Sequence, residues 1–314
     1  MAKFLCVTLN PAIDFTVSLD VLQIGAVNRQ QAAEQHAAGK GLNVAQILRD
    51  LGHEVTVSGF LGNGNAELFR QHFARQGFRD EFVYVSGETR LNVKIAEESG
   101  RMTDINGKGF IVGDADKAAL SAKIAPLAAE ADYVAVCGSL PQQFSPEDLQ
   151  DLLACLKKAN PKLAIDTSGA ALAAAVACSP FLIKPNSEEL QESFRLAAGT
   201  TEEQAQALSN LPQPVEHLVL SMGENGVNWW HQGRCLHAGA APVQVKSTVG
   251  AGDTLLAGIL HGLASGHSPE ETLQTAAALA AHAVSQIGFG IPDNERLSAL
   301  KQHISIRIEK DSAS

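Results

Sequence analysis

In the run Ser247-Thr248-Val249-Gly250-Ala251-Gly252-Asp253, a carboxylate follows a glycine-rich turn that leads straight into the apolar stretch 254–260. Glycine tolerates backbone dihedrals that other residues avoid, so Gly250 and Gly252 allow a tight turn there. The stretch after them has helix character, which places 250–253 at a helix N-terminus. Unpaired backbone N–H groups and the positive end of the helix dipole favour an anion at such a place. A carboxylate beside an anion hole repels phosphate. Asp253 therefore reads either as a proton acceptor for an attacking hydroxyl or as a plain cap on a buried helix.

Other candidate groups are scattered along the chain. Asn10-Pro11-Ala12-Ile13-Asp14 ends a first apolar run and presents Asp14, an acid suited to sugar hydroxyls or to capping a turn. Ala38-Gly39-Lys40-Gly41-Leu42-Asn43 places Lys40 between two glycines, with Asn43 about one helical turn later. This is no Walker loop, because Glu34 stands where the first glycine is needed and Leu42-Asn43 where Ser or Thr is needed. Arg90, Asn92 and Lys94 alternate with Leu91, Val93 and Ile95, so a strand shows the polar trio on one face, able to clamp an anion or simply to meet solvent. Lys94 finds no definite partner in the sequence; a bound phosphate and Glu97 are both within its reach. Ser139 lies in the turn Gly138-Ser139-Leu140-Pro141. In Lys184-Pro185-Asn186-Ser187-Glu188-Glu189, Asn186 and Glu189 are three apart and can order a magnesium shell or close a capping box. Ser221-Met222-Gly223-Glu224-Asn225-Gly226 follows another apolar run and has the look of a nucleotide-side turn.

The elements that must hold these groups follow from hydrophobic patterning. Segments 4–9, 54–60, 133–137, 163–166, 181–184 and 217–221 read as buried strands. Between them, 42–51, 66–76, 116–129, 146–159, 188–197 and 202–210 read as helices. That alternation argues an α/β fold with a mostly parallel central sheet flanked by helices. Segments 13–35 and 89–111 break the pattern and read together as a small antiparallel β lid on a single domain spanning 1–314. After Asp253 the chain reads as helical through Gln286, and 309–314 are expected to fray.

Composition narrows the function classes. A formal net charge of −10 argues against nucleic-acid binding. The cysteines Cys6, Cys137, Cys155, Cys178 and Cys235 show no CxxC spacing, which fits reduced thiols and neither a disulfide framework nor zinc. No signal peptide or membrane-spanning run is apparent, so a cytoplasmic location is the expectation. A dinucleotide-dependent dehydrogenase is disfavoured because the first strand runs into Asn-Pro-Ala and not into GxGxxG.

Segments 38–45 and 247–258, with Gly138–Pro141, Lys184–Asn186 plus Glu189, and Ser221-x-Gly223 between them, resemble in order the signatures of the ribokinase-like (PfkB) carbohydrate kinases. The likeness extends from Met1 to about Gly290. Within that family, segments 8–14 and 89–94 are similar to the hexose-phosphate branch, and Thr103-Asp104-Ile105-Asn106 resembles the members acting on fructose 1-phosphate more closely than those acting on tagatose 6-phosphate, with fructose 6-phosphate as a further alternative acceptor. The resemblance implies ATP and Mg²⁺, Asp253 as general base, and the amides of Gly250, Ala251 and Gly252 as anion hole. It implies Asp14 and Asn43 on sugar hydroxyls, with Gly39 and Asn92 beside them, and Lys40, Arg90 and Ser139 on the substrate phosphate. Lys184, Asn186, Ser221, Gly223, Gly226, Thr248 and Ser285 would border the nucleotide, with Asn186 and Glu189 toward the metal. A homodimer through the lid is also implied. A non-catalytic sugar-phosphate sensor is the rival from another class; it would have no use for Asp253.

Overall fold

Alternate residues of the first strand point into two different cores. In β1 (Lys3–Thr8), Phe4 and Cys6 join one buried cluster and Leu5 and Val7 another. A strand buried on both faces reads as a continuous apolar run, and its sheet needs helices on both sides. The computed structural model describes residues 1–286, 290–291 and 294–310.

The chain continues through β2 (Ala12–Leu19), β3 (Ala32–Ala38), α1 (Lys40–Asp50), β4 (Glu54–Gly62), α2 (Glu67–Gln76), β5 (Arg79–Asp80) and β6 (Val83–Val85). Then come β7 (Arg90–Glu97), β8 (Met102–Asn106), α3 (Asp114–Glu130), β9 (Tyr133–Cys137), α4 (Pro146–Ala159), β10 (Leu163–Asp166) and α5 (Gly169–Ala177). It closes with β11 (Leu182–Ile183), α6 (Ser187–Phe194), α7 (Thr201–Ser209), β12 (His217–Ser221), β13 (Val227–His231), β14 (Arg234–Ala238), α8 (Ala251–Ser265), α9 (Pro269–Val284), α10 (Asn294–Gln302) and β15 (Ile306–Lys310).

The large sheet runs β15-β14-β13-β12-β11-β10-β9-β1-β4-β5. From β12 to β5 every pairing is parallel, so the carboxyl ends of β1, β9, β10, β11 and β12 share one edge. In an open α/β sheet that edge is where ligands bind. Helices α1, α8 and α9 contribute to the core on one face, and α3, α4 and α5 to the core on the other. Helices α8 and α9 approach unusually closely: a Cβ on Gly258 would stand 2.6 Å from Ala276 Cα, and one on Gly262 2.4 Å from Thr272 side-chain atoms.

Four features differ from the sequence reading. The antiparallel edge β13–β15 pairs on to β12 and extends the sheet where no strands were expected. Helix α5 covers the sheet after β10. The helix expected to run unbroken to Gln286 stops at Gly266, in the left-handed conformation at φ 69°, and restarts after the Ser268 cap as α9. Glu309 and Lys310, expected to fray, end β15, whereas 311–314 lie outside the described residues.

A second sheet, order β3-β2-β7-β8, stands where the lid was expected. Its two outer pairs are antiparallel, and the central seam β2/β7 is parallel. Strand β2 leaves β1 through Asn10-Pro11, and β3 returns through Gly39 into α1, so the lid is joined to the ligand edge itself. Among the described residues, no helix is long and apolar enough to cross a membrane.

Candidate active site

The period of two along the lid strands sorts side chains by face. Asp14, Arg90, Asn92, Lys94, Asp104 and Asn106 line one cleft of about 460 Å³ beneath the lid. Across the same cleft stand Gly39, Lys40 and Asn43 from the start of α1, Lys184, Asn186 and Glu189 after β11, Ser221, and Thr248, Gly250, Gly252 and Asp253. Segments from both ends of the chain thus meet at one place.

Helix α8 explains the placement of Asp253. Gly250 is its N-cap, in the left-handed region at φ 78° and ψ 0°, where a Cβ is disfavoured. Ala251, Gly252 and Asp253 form the first turn, whose N–H groups have no acceptor within the helix. Asp253 is buried, and its Oδ2 accepts a hydrogen bond from Asn43 Nδ2 at 2.7 Å. Burial first, and the Asp166 carboxylate second, push the Asp253 carboxyl up to about 6, against the opposing pull of Asn43, Lys40 and Lys184. An acid near 6 is mostly ionised at neutral pH and still basic enough to take a proton as a bond forms.

Asp166, which the sequence reading passed over, sits at the centre of this corner. It is the last residue of β10 and fully buried. Lys40 Nζ donates to its Oδ1 at 3.2 Å, and Lys184 Nζ lies 3.2 Å from its Oδ2 as an ion pair without hydrogen-bond alignment. Lys40 Nζ is also 3.9 Å from Glu189 Oε1. Burial works to lower the Lys40 ammonium, but Asp166, Asp253 and Glu189 outweigh it and hold the group well above its ordinary value. Lys184 leans over the glycine turn: a Cβ added to Gly252 would be 3.0 Å from its Nζ. Two fixed cations therefore flank the helix N-terminus. Lys40, expected on the substrate phosphate, thus lines the first cleft with its ammonium among three carboxylates, and Asn43, expected on a sugar hydroxyl, lines it with its amide bonded to Asp253.

The lid side is organised differently. Arg90 donates from Nη2 to Asn10 O at 3.0 Å and from Nε to Pro11 O at 3.3 Å, with no carboxylate partner at hydrogen-bond distance among the described residues. Burial pulls its guanidinium below the ordinary value, against the pull of Asp14, so an added anion is favoured there. Asp14 Oδ1 accepts from Asn92 Nδ2 at 3.2 Å, and Lys94 Nζ lies 2.6 Å from Asp14 Oδ2. Lys94 thus pairs with Asp14. Glu97, the alternative partner, is taken by Arg101.

A second cleft of about 810 Å³ adjoins the first at Asn186 and Ser221 and is lined by Gly223, Asn225, Asn228 and His237 among others. Beneath it Asn228 Nδ2 donates to Gln204 Oε1 at 2.7 Å, and His237 Nδ1 lies 2.7 Å from Asn228 Oδ1. Clefts of this size hold nucleotide-sized ligands. Ser139, Gly226 and Ser285 line neither cleft. Ser139 is exposed and accepts from Asn10 Nδ2 at 3.2 Å. A Cβ on Gly226 would stand 2.1 Å from Ala238 O, so that glycine serves close hairpin packing. Ser285 is buried, its hydroxyl donating to His282 O at 2.7 Å at the end of α9.

Asn186 and Glu189 form a capping box on α6: Asn186 Oδ1 accepts from Glu189 N at 2.7 Å, and Glu189 Oε2 from Asn186 N at 2.9 Å. The box leaves Glu189 Oε1 facing the cleft beside Lys40. Glu189 Oε1, 3.9 Å from Lys40 Nζ, and the Asn186 amide carbonyl, where the two clefts join, suit Mg²⁺, which keeps several waters and takes its other ligands from substrate phosphates. Glu216, His217 and His231 also bring their ligand atoms within 4.8 Å of one another. However, Trp229 Nε1 donates to His217 Nδ1 at 3.1 Å, leaving the imidazole proton on Nε2, the atom that faces Glu216. The two histidine rings stack 4.3 Å apart across the β12/β13 pair, which makes this a packed aromatic cluster.

Comparison with known proteins shows the family. The model of the pfkB family of carbohydrate kinases matches residues 7–296. The chain is 44% identical over 305 residues to the 1-phosphofructokinase of Vibrio cholerae, covering 97% of this chain and 96% of that one. It is 38% identical over 302 residues to the 1-phosphofructokinase of Escherichia coli, covering 96% and 97%. The solved structure of phosphofructokinase-2 from Escherichia coli superposes with a TM-score of 0.87 at 24% identity over 96% of this chain and 99% of that one, a likeness of fold.

Proposed function

The chain belongs to the pfkB family of carbohydrate kinases, and we propose that it transfers the γ-phosphoryl group of ATP to the free primary hydroxyl of fructose 1-phosphate, giving fructose 1,6-bisphosphate. One observation carries the reading: Asp253, buried in the first turn of α8, shares a cleft with Arg90, a half-buried cation lacking, among the described residues, a carboxylate partner at hydrogen-bond distance.

Asp253 accepts the hydroxyl proton as the sugar oxygen attacks, and Asn43 fixes the orientation of the accepting carboxylate. Charge building on the transferring group falls against the first-turn amides of α8, with Lys184 and Lys40 flanking them. Such preorganised groups cost little reorganisation during the reaction. The phosphate already on the sugar goes to Arg90, and Asp14 with Asn92 takes sugar hydroxyls. ATP lies along Thr248, Lys184, Asn186, Ser221 and Gly223, where the two clefts join. Glu189 with Asn186 would hold Mg²⁺, which supplies charge neutralisation to the phosphates when bound. The lid covers the sugar and limits transfer to water.

The outer lid face is apolar: Phe15 and Val93, and Val17 and Ile95, pair across β2/β7, while Leu91 and Ile105 are 41% and 58% exposed. A second copy packing there would form the homodimer, which light scattering with Ile105→Ser would test.

The test of the function is turnover with ATP and Mg²⁺ against fructose 1-phosphate, fructose 6-phosphate, tagatose 6-phosphate and fructose, side by side. Dominant kcat/KM for fructose 1-phosphate supports the reading. Dominance of a 6-phosphate keeps the mechanism and changes the acceptor. Binding without turnover makes the protein a sensor.

A further inference from the structure

Three lid side chains form a chain of contacts that phosphate binding does not explain. Lys94 Nζ reaches Asp14 Oδ2 at 2.6 Å, and Asn92 Nδ2 reaches Asp14 Oδ1 at 3.2 Å. The Lys94 and Asp14 side chains are only 15% and 13% exposed. Register makes this arrangement specific: in the parallel seam Asp14 stands opposite Asn92, and Lys94 opposite Thr16, one pair further along the same face. On its other side Lys94 faces Asp104 of β8 in the antiparallel ladder. Arg90, on the same strand, spends its donors on backbone carbonyls and keeps its charge available. Lys94 has its charge matched by a carboxylate at contact distance. Two cations four residues apart thus have different electrostatic positions, one available to an anion and one committed.

We propose that Lys94 is a positioning residue for sugar recognition: it aims the Asp14 carboxylate at the acceptor's hydroxyls and leaves the acceptor's phosphate to Arg90. The proposal rests on the reading that this cleft holds a sugar phosphate. Both Asp14 oxygens are tied by donors from β7, so the carboxylate has one orientation and its remaining lone pairs point into the cleft. Removing Lys94 leaves a mostly buried carboxylate free to turn and without its counter-charge, and hydrogen bonds involving charged groups are sensitive to such loss.

The test is a double-mutant cycle on Asp14 and Lys94 in the full-length enzyme, read by steady-state kinetics. Lys94→Met should raise KM for fructose 1-phosphate about tenfold, with kcat and the KM for ATP within about threefold of the parent. Lys94→Arg should recover most of the loss. Asp14→Asn with Lys94→Met should be no worse than Asp14→Asn alone, because the two act as a unit. A merely structural role would lower Tm without splitting KM from kcat. Losses that multiply in the double variant would overturn the proposal, as would a Lys94→Met defect that vanishes with unphosphorylated fructose, the mark of a direct phosphate ligand. If Lys94→Met does not fold, Lys94→Gln carries the same cycle. A parent enzyme that turns over no sugar phosphate refutes the functional reading instead; the cycle is then read from calorimetric binding of fructose 1-phosphate.

Discussion

The two walls of the first cleft are built on opposite principles. At the α8 corner, Asp253, Asp166, Lys40 and Lys184 are crowded behind the sheet edge, three of them nearly or fully buried, and burial and the neighbouring charges displace the protonation of Asp253 and of Lys40. Along the lid, Asp14, Asn92, Lys94 and Arg90 lie in one row on a thin four-stranded sheet with an exposed outer face. Burial makes a charge reactive, because a desolvated carboxylate holds its proton more tightly and returns it less readily to water. A partly exposed row suits recognition, since its groups are within reach of a ligand entering the cleft. Under the proposed function, the difference gives chemistry to the buried corner and selection to the lid.

The sharpest way to break that division is Asp253→Asn. It should lower kcat by about 10²–10⁴, the usual worth of a positioned general base, and leave fructose 1-phosphate binding within a few-fold by calorimetry. Next is Arg90→Ala, expected to raise KM for the sugar phosphate by about 10- to 100-fold through loss of a charged contact, with KM for ATP unchanged. Equal rises in both constants would return Arg90 to a structural role on Asn10 and Pro11. Asp166→Asn sharpens the corner's side: loss of its charge frees Lys40 and Lys184 and removes a like charge from Asp253. The acid limb of the kcat/KM profile, expected with a midpoint of about 6 in the parent, should move to lower pH. An unmoved limb would detach Asp166 from Asp253.

The smallest effect concerns stability. The Asp253 carboxyl is raised on folding above its unfolded value near 4, so the cost of holding it charged is present above about pH 6 and absent below about pH 4. Asp253→Asn should therefore raise Tm at pH 7–8, by of order 1–3 kcal/mol in stability, and have little effect near pH 4. A destabilised variant at pH 8 would mean that the Asn43 contact outweighs desolvation.

Much of this arrangement was legible before any coordinates. Strands Tyr133–Cys137, Leu163–Asp166 and His217–Ser221 end where their apolar runs end, because both faces of a parallel strand are buried. The polar row at Arg90, Asn92 and Lys94 follows from the period of two alone. What escaped depends on partners distant in sequence. Lys94 finds Asp14 across a seam between residues 80 apart, and Asn43 finds Asp253 across 210. Asp166 carried a faint signal, a carboxylate closing an otherwise apolar strand, but its meaning comes from Lys40 and Lys184. The edge β13–β15 was missed because Val227-Asn228-Trp229-Trp230-His231 mixes polar and aromatic residues that only pairing with β12 and β14 sorts into faces. Asn186 and Glu189 were open between a cap and a metal shell, and the capping box is present with one carboxylate oxygen to spare.

The most direct test takes Asp253→Asn and Arg90→Ala together and measures kcat, KM for fructose 1-phosphate and KM for ATP in each. The division of labour requires a loss confined to kcat in the first variant and to the sugar-phosphate KM in the second. Near-normal kcat in Asp253→Asn, or the same mixture of losses in both variants, would contradict it.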